Sequence, residues 1–395
     1  MDAFCFPSAR LCLDDAGGGI RMAGQCYRQQ GGAGRPVLRD GKCQGCRSLR
    51  PVACSGKDRA CVMAIFNSRE GHSLQKYRIG FIGCGEIAHM HAACLLDNGA
   101  LIAGGYDFNE AAARQLADRF GGKAFADPEQ LCQDRDVDAV YICTRHDSHV
   151  QYVTMAARNG KAIFCEKPLA MNAEAAAEAV EAVEKYGVPC VLGFNHRYSP
   201  GIAKLKQYLL EHQEQAQILH FQFVTAPFLK SWAGLQEQGG GVLVCLGSHV
   251  LDLVHYLAPS EVVQLQSMAV GLRLPSPYLE DAFGAVMTNE AGQFITVQAH
   301  DLGNRDFSTD PAHRINTVQA FIGDEAVVAR PSQFEVWGGG RNVSERYRTD
   351  VLHAWGYQEL NKRFLQRLSG ENIDVPDVYA GWHAAKMVEK CRNNR

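Results

Sequence analysis

From residue 77 onward, short apolar runs alternate with longer stretches in which apolar positions recur at helical spacing. The runs at 78–82, 101–106, 139–143, 162–165 and 190–194 are nearly continuous, as in parallel strands buried on both faces. The helical stretches between them have legible ends. Asn172 precedes an alanine-rich run as an N-cap, Gly187 closes that run after Tyr186, and Gly160 closes the helix before it in the same way. The pattern predicts an α/β domain with a doubly wound parallel sheet over residues 76–195.

After residue 196 the texture changes, because strand-like runs follow one another directly at 218–224, 262–274, 281–288, 293–300, 316–322 and 325–329. Such a succession predicts an α+β domain over residues 196–395, with a mostly antiparallel open sheet carrying helices on one face. Helical stretches at 351–368 and 378–391 complete it and are placed to pack back on the first domain. The open sheet presents a broad face that a second copy of the chain would bury, so a homo-oligomer is expected.

Residues 1–75 show neither period and read as a loop-rich or disordered extension. They hold 7 of the 15 cysteines. Cys43, Cys46, Cys54 and Cys61 place four thiols within 19 residues, a candidate zinc or iron–sulfur set whose second pair is spaced by six residues. The alternative is an unstructured extension with incidental cysteines.

With 395 residues, 46% of them hydrophobic, the chain can build two cores without staples. A net charge of −3 with both signs interspersed offers no basic face for nucleic acid. No apolar run approaches a membrane span, and the start of the chain lacks an export signal, so a cytoplasmic protein with no membrane partner is expected. Cys143, Cys165 and Cys190 then read as reduced core thiols.

Chemistry enters at the end of the first strand. Gly83-Cys84-Gly85-Glu86-Ile87-Ala88 is a G-x-G-x-x-A turn between strand and helix. Gly83 permits the tight turn, Gly85 admits a pyrophosphate, Ala88 allows close packing, and the helix N-terminus meets the phosphates. The next strand ends at Asp107, where a carboxylate can accept from the adenosine ribose hydroxyls and repel a 2′-phosphate. The turn therefore predicts a Rossmann domain binding NAD, with Arg114 as the one nearby cation that leaves NADP possible.

The third strand ends in Thr144-Arg145-His146-Asp147-Ser148-His149 and the fourth in Glu166-Lys167-Pro168. Later come Gly239-Gly240-Gly241 and Gly247-Ser248-His249 with Asp252. These motifs, in this order, resemble the Gfo/Idh/MocA oxidoreductases over residues 76–395, in particular the branch associated with polysaccharide and sugar-nucleotide pathways. The resemblance implies a dehydrogenase or reductase acting on a CH–OH group of a sugar, sugar nucleotide or cyclitol. It also implies cofactor contacts from Gly83, Gly85, Glu86, Ile87, Ala88, Asp107, Thr144, Arg145, His146, His149, Glu166 and Lys167.

Lys167 is implied as the catalytic ammonium that polarises the substrate oxygen, by a lowered pKa or by charge alone. His249 is implied as the proton acceptor, and the Lys167-Pro168 bond is a candidate cis peptide. Asp252 shares the helical face of His249 and reads as structural.

The sequence departs from the family at Cys245, where many members carry an aspartate four residues before the histidine. Substrate contacts then fall to Asn195, Arg197 and Tyr198 along with Cys245, the first three serving equally well as a domain-linking hydrogen-bond network. The expected function is hydride exchange between NAD(H) and a secondary alcohol or ketone carbon. A catalytically silent NAD(H)-binding sensor or assembly partner is the alternative.

Overall fold

In a computed structural model, the structure describes residues 76–212, 216–225, 227–303 and 316–394. The cysteine-rich stretch with its candidate metal ligands Cys43, Cys46, Cys54 and Cys61 lies outside the described residues. No group of three or more potential metal ligands occurs among the described residues.

The first domain alternates strand and helix: β1 Arg78–Ile82, α1 Glu86–Asp97, β2 Leu101–Tyr106, α2 Glu110–Phe120, β3 Lys123–Ala124, α3 Pro128–Gln133, β4 Ala139–Ile142, α4 His149–Arg158, β5 Ala162–Cys165, α5 Ala173–Tyr186 and β6 Cys190–Leu192. All pairings are parallel in the order β3-β2-β1-β4-β5-β6, so the order reverses between β1 and β4. That reversal opens a crevice at the carboxyl ends of the strands. The caps follow the sequence: the Asn172 side chain accepts from Ala175 N–H at 2.8 Å, and Gly187 ends α5 in the left-handed conformation.

The second domain contains α6 Pro200–Glu211, β7 Ile218–Val224, α7 Gly241–Cys245, α8 Gly247–Leu257, β8 Val262–Val270, β9 Ala282–Asn289, β10 Phe294–His300, β11 Thr317–Ile322, β12 Glu325–Arg330, β13 Gln333–Gly338 and β14 Arg341–Arg346. It is completed by α9 Val351–Ala354, α10 Tyr357–Leu368 and α11 Val378–Asn393. The eight strands run in the order β14-β13-β12-β11-β7-β10-β9-β8, antiparallel except for β7 beside β10. Phe283, Ala285 and Met287 of β9 and Ile295, Val297 and Ala299 of β10 point into a core with α6, α7 and α8. The opposite face leaves Val286, Phe294, Phe321 and Trp337 exposed.

The sequence reading differs from the structure in three places. The run 262–274 is strand only to Val270, because Leu272, Arg273 and Leu274 turn away to donate their N–H groups to Asp281. The run 351–368 is two helices, broken at Gly356, whose φ is +78° and whose backbone lies so close to the Asn195 carbonyl that a Cβ would sit 2.2 Å from it. Strands β13 and β14 carry polar outward residues and escaped the apolar pattern.

The C-terminal helices return to the first domain. Leu360 and Phe364 of α10 join the core beneath β1 and β4, while α11 places Val378 and Ala384 in the first domain's other core and Met387 and Val388 in the second domain's. No described helix is long and apolar enough to cross a membrane.

Candidate active site

The glycine turn is shaped by its neighbours. Gly83 has φ +87°, and a Cβ there would lie 2.6 Å from the Cys143 carbonyl, so strand β4 excludes any side chain. Gly85 has nothing within 4 Å of its missing Cβ, which leaves an open approach at the start of α1. Ala88 is fully buried in the core behind the turn. Glu86 and Ile87 begin the helix, whose first-turn N–H groups carry the positive end of its dipole.

Asp107 stands beside the turn. Its Oδ2 accepts from Cys84 N–H and its Oδ1 from Asn109 N–H, both at 2.8 Å. Each oxygen retains a lone pair, so the carboxylate is held rigidly with acceptor capacity to spare for vicinal hydroxyls. Arg114, the cation that would receive a 2′-phosphate, pairs instead with Glu110 one turn earlier. The cradle, the free helix end and the acidic acceptor fit an adenine dinucleotide without a 2′-phosphate.

At the end of β5, Lys167 leads into a cis bond with Pro168. Its Nζ donates to the Cys245 carbonyl at 3.1 Å, at the junction of α7 and α8. One turn later His249 is buried, and its Nδ1 has no hydrogen-bond partner. Burial, together with Lys167, His196 and His146, pushes the ring well below the usual imidazole range, so it is neutral at neutral pH. Lys167, from the first domain, thus bonds the second domain one helical turn before His249.

Several of the expected contacts also have partners within the chain. The Cys245 thiol is buried, and burial pushes its pKa up against the opposing pull of the Lys167 ammonium, while the group that Lys167 bonds is the Cys245 main-chain carbonyl. His149 places Nδ1 2.7 Å from the Pro168 carbonyl and Nε2 3.1 Å from that of Thr144, so its one N–H ties it to one of the two strand-end loops. His146 donates from Nδ1 to the Gly239 carbonyl at 3.0 Å and packs edge-on against Trp232. Thr144 accepts from Ser148 at 2.8 Å, and half-exposed Arg145 reaches Gln238 and Asp147 at 3.4 Å.

Asn195, Arg197 and Tyr198 follow the domain-linking alternative. Arg197 forms a buried two-point pair with Asp252 at 2.8 and 2.5 Å, Asn195 donates to the Trp355 carbonyl at 2.8 Å, and Tyr198 donates to the Asp374 carbonyl at 3.1 Å. Their polar groups are spent on joining elements far apart in sequence.

Sequence reasoning missed His91 and Gly193. His91 lies on the inward stripe of α1 with Ala88, Ala92 and Leu95, where a histidine among apolar residues was the available signal. It bonds Glu166 at 2.8 Å. Gly193 makes room for that carboxylate, since a Cβ there would lie 2.7 Å from Oε1.

Comparison with known proteins bears on this geometry. Residues 77–194 match the family model described as "Oxidoreductase family, NAD-binding Rossmann fold", and residues 214–311 match "GFO/IDH/MocA C-terminal domain". The chain is 29% identical over 206 residues to scyllo-inositol 2-dehydrogenase (NAD(+)) of Bacillus subtilis, covering 51% of this chain and 59% of that one. To inositol 2-dehydrogenase 2 of Saccharopolyspora erythraea it is 29% identical over 319 residues, covering 79% and 91%. The match to the Bacillus enzyme, like that to a Thermotoga maritima myo-inositol 2-dehydrogenase, thus spans less than two thirds of the relative's length, 59% and 57%. Among solved structures, UDP-N-acetylglucosamine 3-dehydrogenase GnnA from Acidithiobacillus ferrooxidans superposes with a TM-score of 0.66 at 20% identity, covering 80% of this chain and 97% of that one. A levoglucosan dehydrogenase in complex with NADH and levoglucosan gives 0.70 at 19% identity, covering 81% and 97%. On the two family matches, the chain belongs to the Gfo/Idh/MocA oxidoreductases, and its first domain is their NAD-binding Rossmann fold.

Proposed function

We propose that this protein is an NAD(H)-dependent oxidoreductase that exchanges a hydride with a secondary alcohol or ketone carbon of a sugar, sugar nucleotide or cyclitol. The observation that carries this reading is that Lys167 reaches the junction of α7 and α8 from a strand end, one helical turn before a buried His249 whose Nδ1 has no partner. A buried polar atom without a partner is unfavourable unless a ligand supplies one. The relatives matched in sequence are named as inositol dehydrogenases, which supports a polyhydroxylated, sugar-like substrate class.

NAD(H) bound at the glycine turn supplies the hydride acceptor or donor. The chain's own groups do the rest. Gly83, Gly85 and the first turn of α1, with Glu86 and Ile87, hold the pyrophosphate, Asp107 holds the adenosine ribose, and Thr144, Arg145 and Glu166 line the cofactor's other end. Lys167 leaves the Cys245 carbonyl for the substrate oxygen and stabilises negative charge as an alkoxide develops. Neutral His249 accepts the hydroxyl proton in oxidation and returns it in reduction.

The exposed face of the eight-stranded sheet, with Val286, Phe294, Phe321 and Trp337, is the surface we assign to homo-oligomer formation. A cytoplasmic location suits the buried reduced thiols. The test is turnover of NAD across a panel of cyclitols, sugars and sugar nucleotides. Reduction of NAD with one or more of them, slowed by about a hundredfold or more in Lys167→Ala, supports the reading; turnover unaffected by that substitution contradicts it.

A further inference from the structure

We propose that His91 is the positioning residue for Glu166, holding its carboxylate in the orientation that receives the cofactor and tying it to the C-terminal helix α10. The inference rests on the reading of Glu166 as a cofactor contact.

His91 is 0% exposed, and rings of Tyr141, Phe164 and Tyr357 pack around it at centroid distances of 5.4, 4.8 and 5.5 Å. A histidine sealed among aromatic rings could be a satisfied core residue. The bonds at its two nitrogens argue otherwise.

Asn361 meets the ring at Nδ1. Its Nδ2 lies 2.8 Å from the Tyr357 carbonyl, which can only accept, while its Oδ1 accepts from the Tyr141 hydroxyl at 2.9 Å. The amide is therefore oriented from both ends. Both its Nδ2, at 2.9 Å, and its Oδ1, at 3.2 Å, reach His91 Nδ1, while the carboxylate of Glu166 at the other nitrogen can only accept, which puts a ring proton on Nε2. Nε2–H then donates to Glu166 Oε1 at 2.8 Å.

Glu166 is held on its other oxygen as well, where Oε2 accepts from Lys167 N–H at 3.1 Å. Gly193 closes the third side without touching it, because only a residue lacking Cβ fits there. One carboxylate oxygen is thus set by the main chain of the Glu166-Lys167-Pro168 motif. The other is set by a chain of bonds reaching from α1 to α10, 270 residues away in sequence. The first bond is inherent to the motif; the second is supplied by His91 alone.

A residue that acts through another has no effect once the other is gone. His91→Phe keeps the ring volume and removes the donor, so NADH binding, read by nicotinamide fluorescence, should weaken about tenfold. In an Glu166→Ala background the same substitution should change the dissociation constant less than about twofold. His91→Gln, which retains an N–H at similar reach, should restore affinity to within about threefold of the parent. Tyr141→Phe removes one hydroxyl and leaves every packed ring in place; if His91→Phe does not fold, it carries the same cycle, with about a threefold effect that vanishes without Glu166.

An equal loss in both backgrounds, or no loss in either, overturns the positioning role while leaving the dehydrogenase reading intact. Wild-type protein that bound no NADH would overturn both.

Discussion

The Lys167 ammonium donates to the main-chain carbonyl of Cys245 at 3.1 Å, joining the end of β5 to the break between α7 and α8. The bond explains how a thiol can occupy a position where many relatives carry an acid. What the lysine touches is backbone, which every residue type provides. Cys245→Ala is therefore expected to change kcat/KM by less than about threefold, since a buried, protonated thiol does no acid–base work. Lys167→Ala should lower kcat by about a hundredfold or more, as loss of a group aimed at developing oxyanion charge does. Steady-state kinetics on one identified substrate measures both.

The buried pair of Arg197 and Asp252 predicts a stability effect rather than a substrate effect. Asp252→Ala strands a buried guanidinium and should destabilise the fold by about 3–5 kcal/mol, whereas replacing both residues with apolar side chains of similar volume should cost much less. Denaturant unfolding of the single and double variants checks this. Arg197 as a substrate ligand would instead show an increased KM in a variant of unchanged stability.

Asp107 has two separable tasks. It braces the glycine turn through Cys84 N–H and Asn109 N–H, and it presents acceptors to the adenosine ribose. Asp107→Ala is expected to weaken NAD binding about tenfold to a hundredfold and to narrow the preference over NADP, because repulsion of a 2′-phosphate is lost at the same time. Calorimetric titration with each dinucleotide measures it; an unchanged NAD-to-NADP affinity ratio would speak against this role.

The pH dependence of stability has a definite sign. Burial holds His146, His149 and His249 below the usual imidazole range in the folded chain. The unfolded chain, with rings titrating near about 6.5, then binds more protons on acidification. Their contribution is fully present above that pH and is lost as pH falls. Asp301, pushed up to about 6 by burial, acts oppositely: its contribution is present below the ordinary carboxylate range and is lost as pH rises through about 6. His383, held at about 4, adds to the rings and Asp252 to the raised carboxyls, and the rings outnumber the carboxyls, so stability at about pH 5.5 should be lower than at about pH 7.5. Urea midpoints at the two pH values decide it, and equal midpoints would contradict the account.

The first domain was legible because its signals are local. Buried parallel strands read as apolar runs, caps such as Asn172 and Gly187 mark their own helices, and the glycine turn lies in six consecutive residues. What escaped depends on contacts distant in sequence. Nothing near Gly356 announces that its backbone meets the Asn195 carbonyl, and nothing near Arg197 shows that Asp252 will take its Nε and one Nη. His91 gave a faint signal as a histidine on an apolar stripe, but its meaning comes from Glu166 and Asn361 on other elements. For the same reason nothing in the Thr144–His149 run shows that the His149 ring will lie between the carbonyls of Thr144 and Pro168.

The central claim is that a hydride passes between a nicotinamide held at the Gly83–Ala88 turn and a carbon of a sugar-like substrate beside Lys167 and His249. Its most direct test is a single turnover with NADH deuterated at C4 on the reactive face, across a panel of keto-sugars, keto-sugar nucleotides and inosose, with the products read by mass spectrometry. The account predicts one deuterium on a carbinol carbon of at least one product, with transfer slowed by about a hundredfold or more in Lys167→Ala. Tight NADH binding with no label transferred to any member of the panel would contradict it.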